Sequence, residues 1–229
     1  MMRWAVHDET NELPTDSRIW ESLKDKDLSR ETRAFLWKTM HNGYKVGRYW
    51  ENIPNFERRA LCGPCDNVHE SMNHILTECL VSGQDVVWDL TQTIHEKRGL
   101  IFDKPSLGKQ LGCALIVRGT GRDKQGASRF SRMIVSEASR TIWKIRCEWR
   151  ISRETDFERR LNEVEIKNTL RRAIAQRMRL DCLATDKSRF GRKTKSAERV
   201  KNTWKNFMPE RVDPAKAWRK ATEVLVGIG

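Results

Sequence analysis

The sequence predicts a mainly α-helical fold, in which a small helical domain containing a zinc knuckle is followed by a basic antiparallel helical hairpin and an irregular basic tail. Three observations predict it. Apolar residues recur at three- and four-residue steps, most clearly at Ile134, Ala138, Ile142, Ile145 and Trp149. Three cysteines and two histidines fall between Cys62 and Cys79 with metal-ligand spacing. Positive charge gathers in the second half: residues 1–100 hold 13 Lys/Arg against 16 Asp/Glu, whereas residues 101–229 hold 31 against 15. The expected segments are a zinc-binding helical domain over 1–100, a Gly-rich connecting segment over 101–129, a helical hairpin over 130–185 and a basic tail over 186–229.

Ile19, Trp20 and Leu23 predict a short helix over residues 17–28. Ser29 has the chemistry to cap a second helix, in which Phe35, Leu36 and Met40 form one face, Trp37 widens it and Gly43 ends it. After a loop at Ile53-Pro54-Asn55 comes the cysteine turn. A short helix from Asn73 to Val81 then carries both His74 and Cys79, with Ile75, Leu76 and Leu80 as its apolar anchors. Val86, Leu90 and Ile94 mark another helix over 85–96. Residues 99–129 are rich in glycine. Leu111 to Val117 is apolar and reads as helix or strand, and Arg118 to Gly126 reads as an exposed basic loop. The strongest helix spans 130–150, with Arg132, Glu137, Arg140, Lys144 and Arg146 between its apolar positions. A second, over 154–183, carries Leu161, Val164, Leu170, Ile174 and Met178. Two such stripes must cover each other, which predicts the hairpin.

The 229 residues include nine tryptophans, so disorder along the whole chain is excluded. The net charge of +13 points to a polyanion, with nucleic acid the first candidate and an anionic membrane surface the second. The densest charge surrounds one aromatic residue: Lys187, Arg189, Phe190, Arg192, Lys193 and Lys195. Side chains of this kind hold phosphates and carry no sequence information. Phe190 either stacks on an unpaired base or packs on the helix pair, and Lys201, Trp204, Lys205 and Phe207 extend the pattern. No apolar run has membrane-spanning length, and the N-terminus has no signal-peptide character. An intracellular setting, nucleus or cytoplasm, is therefore expected, with reduced thiols and Cys113, Cys147 and Cys182 as ordinary buried cysteines.

The spacing C-x2-C-x8-H-x4-C names Cys62, Cys65, His74 and Cys79 as ligands of a structural Zn2+. Gly63 and Pro64 make the turn that lets the first two cysteines reach one ion. His69 competes with His74, and the helix favours His74 because Ile75 and Leu76 fix its direction. His74 and Cys79 are five residues apart, more than one α-turn, so the helix must end or fray at Cys79. Arg58 and Arg59 are available to offset the thiolate charge. A redox reading of Cys62-Gly63-Pro64-Cys65 leaves His74 and Cys79 unexplained and lacks a βαβ setting. Glu70 and Glu78 are near, but no H-E-x-x-H arrangement exists, so neither enzyme activity nor a small-molecule substrate is expected.

The run from Phe35 to Trp50, followed by Cys62-x2-Cys65, Glu70-Ser71-Met72-Asn73-His74-Ile75-Leu76-Thr77-Glu78-Cys79 and Trp88, resembles the zinc-binding region of non-LTR retrotransposon reverse transcriptases. The likeness is closer to the C-terminal part of such polyproteins in basidiomycete fungi. It continues through Ser136-Glu137-Ala138, Ile142 to Glu148, Asp181-Cys182-Leu183, Thr185-Asp186-Lys187 and Val224 to Gly229. The resemblance implies an accessory module that grips RNA or DNA and has Cys62, Cys65, His74 and Cys79 as zinc ligands, with Trp37 and His41 in packing roles. It also implies the upstream polymerase or ribonuclease H domains as partners. Neither a YxDD-like polymerase motif nor a ribonuclease H carboxylate set is present. The chain therefore reads as a non-catalytic part of a mobile element, with docking on the catalytic domains, or an inactive remnant, as alternatives.

Overall fold

A computed structural model describes residues 2–65, 67–79, 81–152, 160–208 and 213–217. The architecture is mainly helical, with one small two-stranded sheet. Helices α1 (Met2–Thr10), α2 (Asp16–Ser22), α3 (Arg30–Met40) and α4 (Arg48–Glu51) precede the sheet. Its strands β1 (Leu61–Cys62) and β2 (Val68–His69) pair antiparallel, Leu61 opposite His69 and Cys62 opposite Val68. A π turn follows at His74–Glu78. Then come α5 (Gln84–Arg98), α6 (Leu107–Leu111), α7 (Lys124–Ser152), α8 (Glu163–Leu183), α9 (Lys187–Phe190), α10 (Ala197–Thr203) and α11 (Pro214–Ala217).

Several local predictions hold at the level of single hydrogen bonds. Ser29 caps α3 by accepting from the Thr32 amide, and Phe35 and Leu36 are buried on its inner face. Leu90 and Ile94 of α5 are buried as expected, whereas Val86 is half-buried and Val87 takes the buried position beside it, and Gly99 ends that helix in the left-handed region. The apolar run at 111–117 is the end of α6 followed by irregular chain, not a strand. The basic loop is shorter than expected, because α7 already begins at Lys124.

The second long helix starts later than its apolar pattern suggested. Residues 154–159 lie outside the described residues, and the chain is non-helical at 160–162. Asn162 then opens α8 through a capping box with Glu165. Val164 stays exposed because it occupies the first turn, ahead of the buried stripe Ile166, Leu170, Ile174 and Met178.

Helix α7 is the central element. Helices α3, α5, α6, α8 and α10 all pack on it. Two of the charged residues between its apolar positions, Glu137 and Arg146, are themselves buried, because a helix surrounded on several sides has no wide solvent face. One core runs through every segment of the sequence, from Leu23, Phe35 and Leu36 through Ile75, Trp88, Phe130 and Ile142 to Ile174, Val200, Trp204 and Phe207. The described residues after 186 are thus irregular only in part. Trp204 and Phe207, read from sequence as an extension of the binding surface, are core residues packed edge-on and tilted against Phe130. The close approach of α10 to α7 needs Gly126, whose Cβ would lie 2.4 Å from the Asn202 carbonyl oxygen.

Buried charge ties these segments together. Arg129 of α7 donates to Asp27 at 2.7 Å, to both carboxylate oxygens of Asp181 at 2.5 and 2.6 Å, and to Thr203 Oγ1 at 2.9 Å. Asp181 also accepts from Lys195 at 2.8 Å and from the Trp204 indole at 3.0 Å. Burial alone would raise the Asp181 carboxyl. The hydrogen bonds and charge of Arg129, with those of Lys195, instead hold it well below the usual carboxylate range.

Candidate metal centre and basic loop

The knuckle is built by a sheet, a turn and a helix end. The β1–β2 hairpin brings the two halves of the cysteine turn together, and the Glu70 amide donates to the Ala60 carbonyl to close it. Cys62 ends β1 and Cys65 ends the short 3₁₀ turn that Gly63 and Pro64 form. The remaining two ligand candidates flank the π turn. Its i→i+5 hydrogen bond runs from the Cys79 amide to the His74 carbonyl at 2.7 Å, and Cys79 leaves the helix in extended geometry at φ −66° and ψ 125°. The five-residue separation thus fits one π turn, which is the local solution to the spacing problem in the sequence.

Cys62, Cys65, His74 and Cys79 are all buried, and their ligand atoms lie within 4.8 Å of one another. The sulfur of Cys79 is 3.8 Å from that of Cys62 and 3.9 Å from that of Cys65. These cysteines are not joined by disulfides. The four could hold a metal ion. His74 supports that donor set, since its Nε2 is buried with no hydrogen-bond partner while its Nδ1 sits 3.5 Å from Glu78. A buried ring nitrogen without a partner is costly unless something satisfies it. Glu78, on the half-exposed side, is placed to orient the imidazole as an outer partner. His69 is elsewhere: it is exposed and its Nε2 lies 2.5 Å from Glu51.

The thiols already differ in acidity. The hydrogen bond shared with Cys62, helped by the Val81 amide and opposed by burial, lowers the Cys79 thiol. The same contact and burial push Cys62 up. Thiolate is the form that binds metal.

The knuckle is anchored to the core on two sides. Ile75 and Leu76 are fully buried, and the Trp88 indole donates to the Leu76 carbonyl at 2.9 Å. Leu80, the third expected anchor, lies outside the described residues. On the other side Glu70 forms a buried two-point pair with Arg146 of α7, one arm at 3.0 Å. Glu70 therefore acts as a structural tether. The sequence held no signal for that pairing across 76 residues. Arg59, considered as a counter-charge, lies over the rings of Trp50 and Phe56 at 5.2 and 5.0 Å. Gly47 sits at φ +52°, and a Cβ there would fall within 2.0 Å of the Glu70 carbonyl oxygen, so only glycine fits beneath the knuckle.

The basic loop is a compact excursion between α8 and α10. Asp186 caps α9 by accepting from the Ser188 amide, and the Lys195 amide donates to the Ala184 carbonyl at 2.8 Å to close the base. The predicted binding residues divide into two groups. Lys187, Arg189, Phe190, Arg192 and Lys193 are exposed. Phe190 is 41% exposed, so part of its surface is open to solvent and the rest is covered. Arg189 pairs with Asp186 at 3.2 Å. Lys195 is different, because its Nζ is committed to the buried Asp181 and is not free for a phosphate.

No helix among the described residues is long and apolar enough to cross a membrane. Comparison with protein-family models, with curated proteins and with solved structures finds no match, so the fold and the cysteine–histidine cluster stand on their own geometry.

Proposed function

We propose that the chain is a non-catalytic, zinc-braced helical module that binds nucleic acid without sequence preference, the role implied by its resemblance to the zinc-binding region of retrotransposon reverse transcriptases. The observation that carries this reading is the convergence of four buried ligand atoms from Cys62, Cys65, His74 and Cys79. Tetrahedral zinc with sulfur ligands spaces its sulfurs by about 3.8 Å. The 3.8 and 3.9 Å separations around Cys79 agree with that value. Three thiolates and one imidazole form a closed set with no open position for water, which is the pattern of a structural ion and not of a hydrolytic one. The exposed cations around Phe190 then bind phosphates, and the ring itself is available for stacking.

The test is metal analysis of purified protein together with anisotropy titrations against single- and double-stranded RNA and DNA at two salt concentrations. One zinc per chain is expected, with affinity falling steeply as salt rises. Arg192→Glu with Lys193→Glu should weaken all sequences about equally and lower the salt slope by about one for each phosphate left without its cation. Metal-free protein that is fully folded, or binding indifferent to salt, would overturn the proposal.

A docking role on the polymerase or nuclease part of a larger element is the second reading. Tyr49 and Phe56 are exposed beside the knuckle, with Trp50 against both rings, which gives that face an aromatic character suited to a protein partner. Tyr49→Ala and Phe56→Ala would weaken such docking and leave nucleic-acid affinity unchanged.

A further inference from the structure

We propose that Trp20, Trp37 and His41 form a stacking platform for unpaired bases, continued by a cationic furrow that leads toward the basic loop, so that the preferred ligand is single-stranded nucleic acid. This inference rests on the nucleic-acid reading above and specifies its substrate class.

The platform is unexpected from sequence, where Trp37 and His41 had packing roles. In the fold Trp37 is 51% exposed and Trp20 43% exposed. The His41 ring lies 4.2 Å from the Trp37 ring and 5.0 Å from the Trp20 ring, tilted by 31° and 35°. Its Nδ1 is 2.9 Å from the Trp37 carbonyl, which fixes the imidazole between the two indoles. Two exposed indoles on one fixed ring make an apolar surface that a folded chain ordinarily covers. Every base has a π-face that such rings can accept.

Charge decides what covers it. The hollow at this platform is also lined by Lys24, Arg30 and Arg33. The Arg33 Nε is buried with no hydrogen-bond partner. Lys24 belongs to a neighbouring hollow as well, which Lys26, Arg132 and Arg199 line. Arg132 and Arg199 in turn line a third, of about 840 Å³, that reaches Arg122 and Lys124 at the start of α7 and Ser196 at the end of the basic loop. The three hollows share residues and so form one furrow. Ten basic side chains line it against four carboxylates. Two of those carboxylates offset two of those cations, Asp25 with Arg132 and Asp27 with Arg129, which leaves eight cations against two carboxylates. A ligand with aromatic faces at one end and regular negative charge along its length matches this sequence of surfaces, and a nucleic-acid strand has both. A duplex keeps its bases stacked inside and cannot use the rings.

The test compares a fluorescein-labelled single-stranded oligonucleotide with a duplex of the same length, on the full metal-loaded chain. Trp20→Ala with Trp37→Ala should lower single-strand affinity about tenfold or more, the range expected when one or two bases lose their stacking partner, and change duplex affinity by less than about twofold. Trp37→Phe should keep most of the affinity, since it keeps a ring. A 4-thiouridine-substituted strand should photocrosslink to the peptides carrying Trp20 or Trp37. Near-ultraviolet circular dichroism checks that each variant is folded. Unchanged single-strand affinity, or an equal loss on both ligands, would overturn the platform. If affinity then still falls in the Arg192→Glu, Lys193→Glu protein, the loop reading survives without the platform. Wild-type protein that binds no nucleic acid would overturn both.

Discussion

The knuckle and the Arg129 network solve the same problem by opposite means. Each gathers separate stretches of chain around buried charge. The knuckle draws its four ligand candidates from 18 consecutive residues. The network draws Asp27, Arg129, Asp181, Lys195, Arg199 and Thr203 from distant parts of the chain, with hydrogen bonds spanning up to 172 residues. The first is a local constraint whose buried thiols and imidazole could hold a metal ion. The second is satisfied entirely by the protein. A charge that is buried must be paired, and the pairing can be short-range in sequence only where a turn brings the partners together.

The largest effect should come from removing the ion. Cys79→Ser, or a strong chelator, should abolish metal binding and lower the unfolding midpoint of the whole chain, because Ile75 and Leu76 belong to the common core. Hydrogen exchange that loosens only the knuckle and leaves α7 and α8 protected would break the comparison by showing that the knuckle is an independent unit. Next is Arg129→Ala, which leaves Asp181 and Asp27 buried and uncompensated and should cost about 3–5 kcal/mol in urea unfolding. A cost below about 1 kcal/mol would mean the network is not a stabilising hub. Gly47→Ala should follow, at about 1–3 kcal/mol for the forced backbone alone, and the clash with Glu70 should also weaken metal binding.

The network should also show in acid. His95, buried between Phe102 and Phe130, is lowered to about 4 by desolvation. It is neutral in the fold but protonated in the unfolded chain below its ordinary value of 6.5, so stability should start to fall as pH drops through that value. Asp181 is held below its ordinary 3.8, so its contribution is present above that pH and is lost on further acidification. A thermal-unfolding series from about pH 7 to about pH 3 checks this, and His95→Gln should flatten the upper part alone. The smallest effect separates the two histidines of the knuckle. Glu78→Ala should lose about tenfold in metal affinity and His69→Ala none, whereas His74→Ala should lose the metal and match the large effect of Cys79→Ser.

Periodicity and caps made the helices legible. Ser29 stands where the sequence put it, α5 runs two residues past its expected end to stop at Gly99, and the Asn162–Glu165 capping box was present in the sequence as a better start for α8 than the apolar pattern. The ligand spacing made the metal candidates legible as well, and even the x4 gap between His74 and Cys79 pointed to an irregular helix end, which the π turn supplies. Side-chain burial was less legible. Trp37 was expected inside and lies outside, while Trp204 and Phe207 were expected on the binding face and lie inside. An aromatic residue has the same pattern value in either place until its neighbours are known.

The sequence by itself determined the helical class, the four ligand candidates and the basic loop, because each depends on residues within a turn or two of one another. Tertiary structure alone decided that α7 would be surrounded, that Glu70 would meet Arg146 and Asp181 would meet Arg129, and that Lys195 would serve the core instead of a phosphate. Those outcomes depend on which faces meet across long stretches of chain. Local spacing constrains an angle along one helix, but it cannot say which charged side chain the neighbouring helix will bring to that angle.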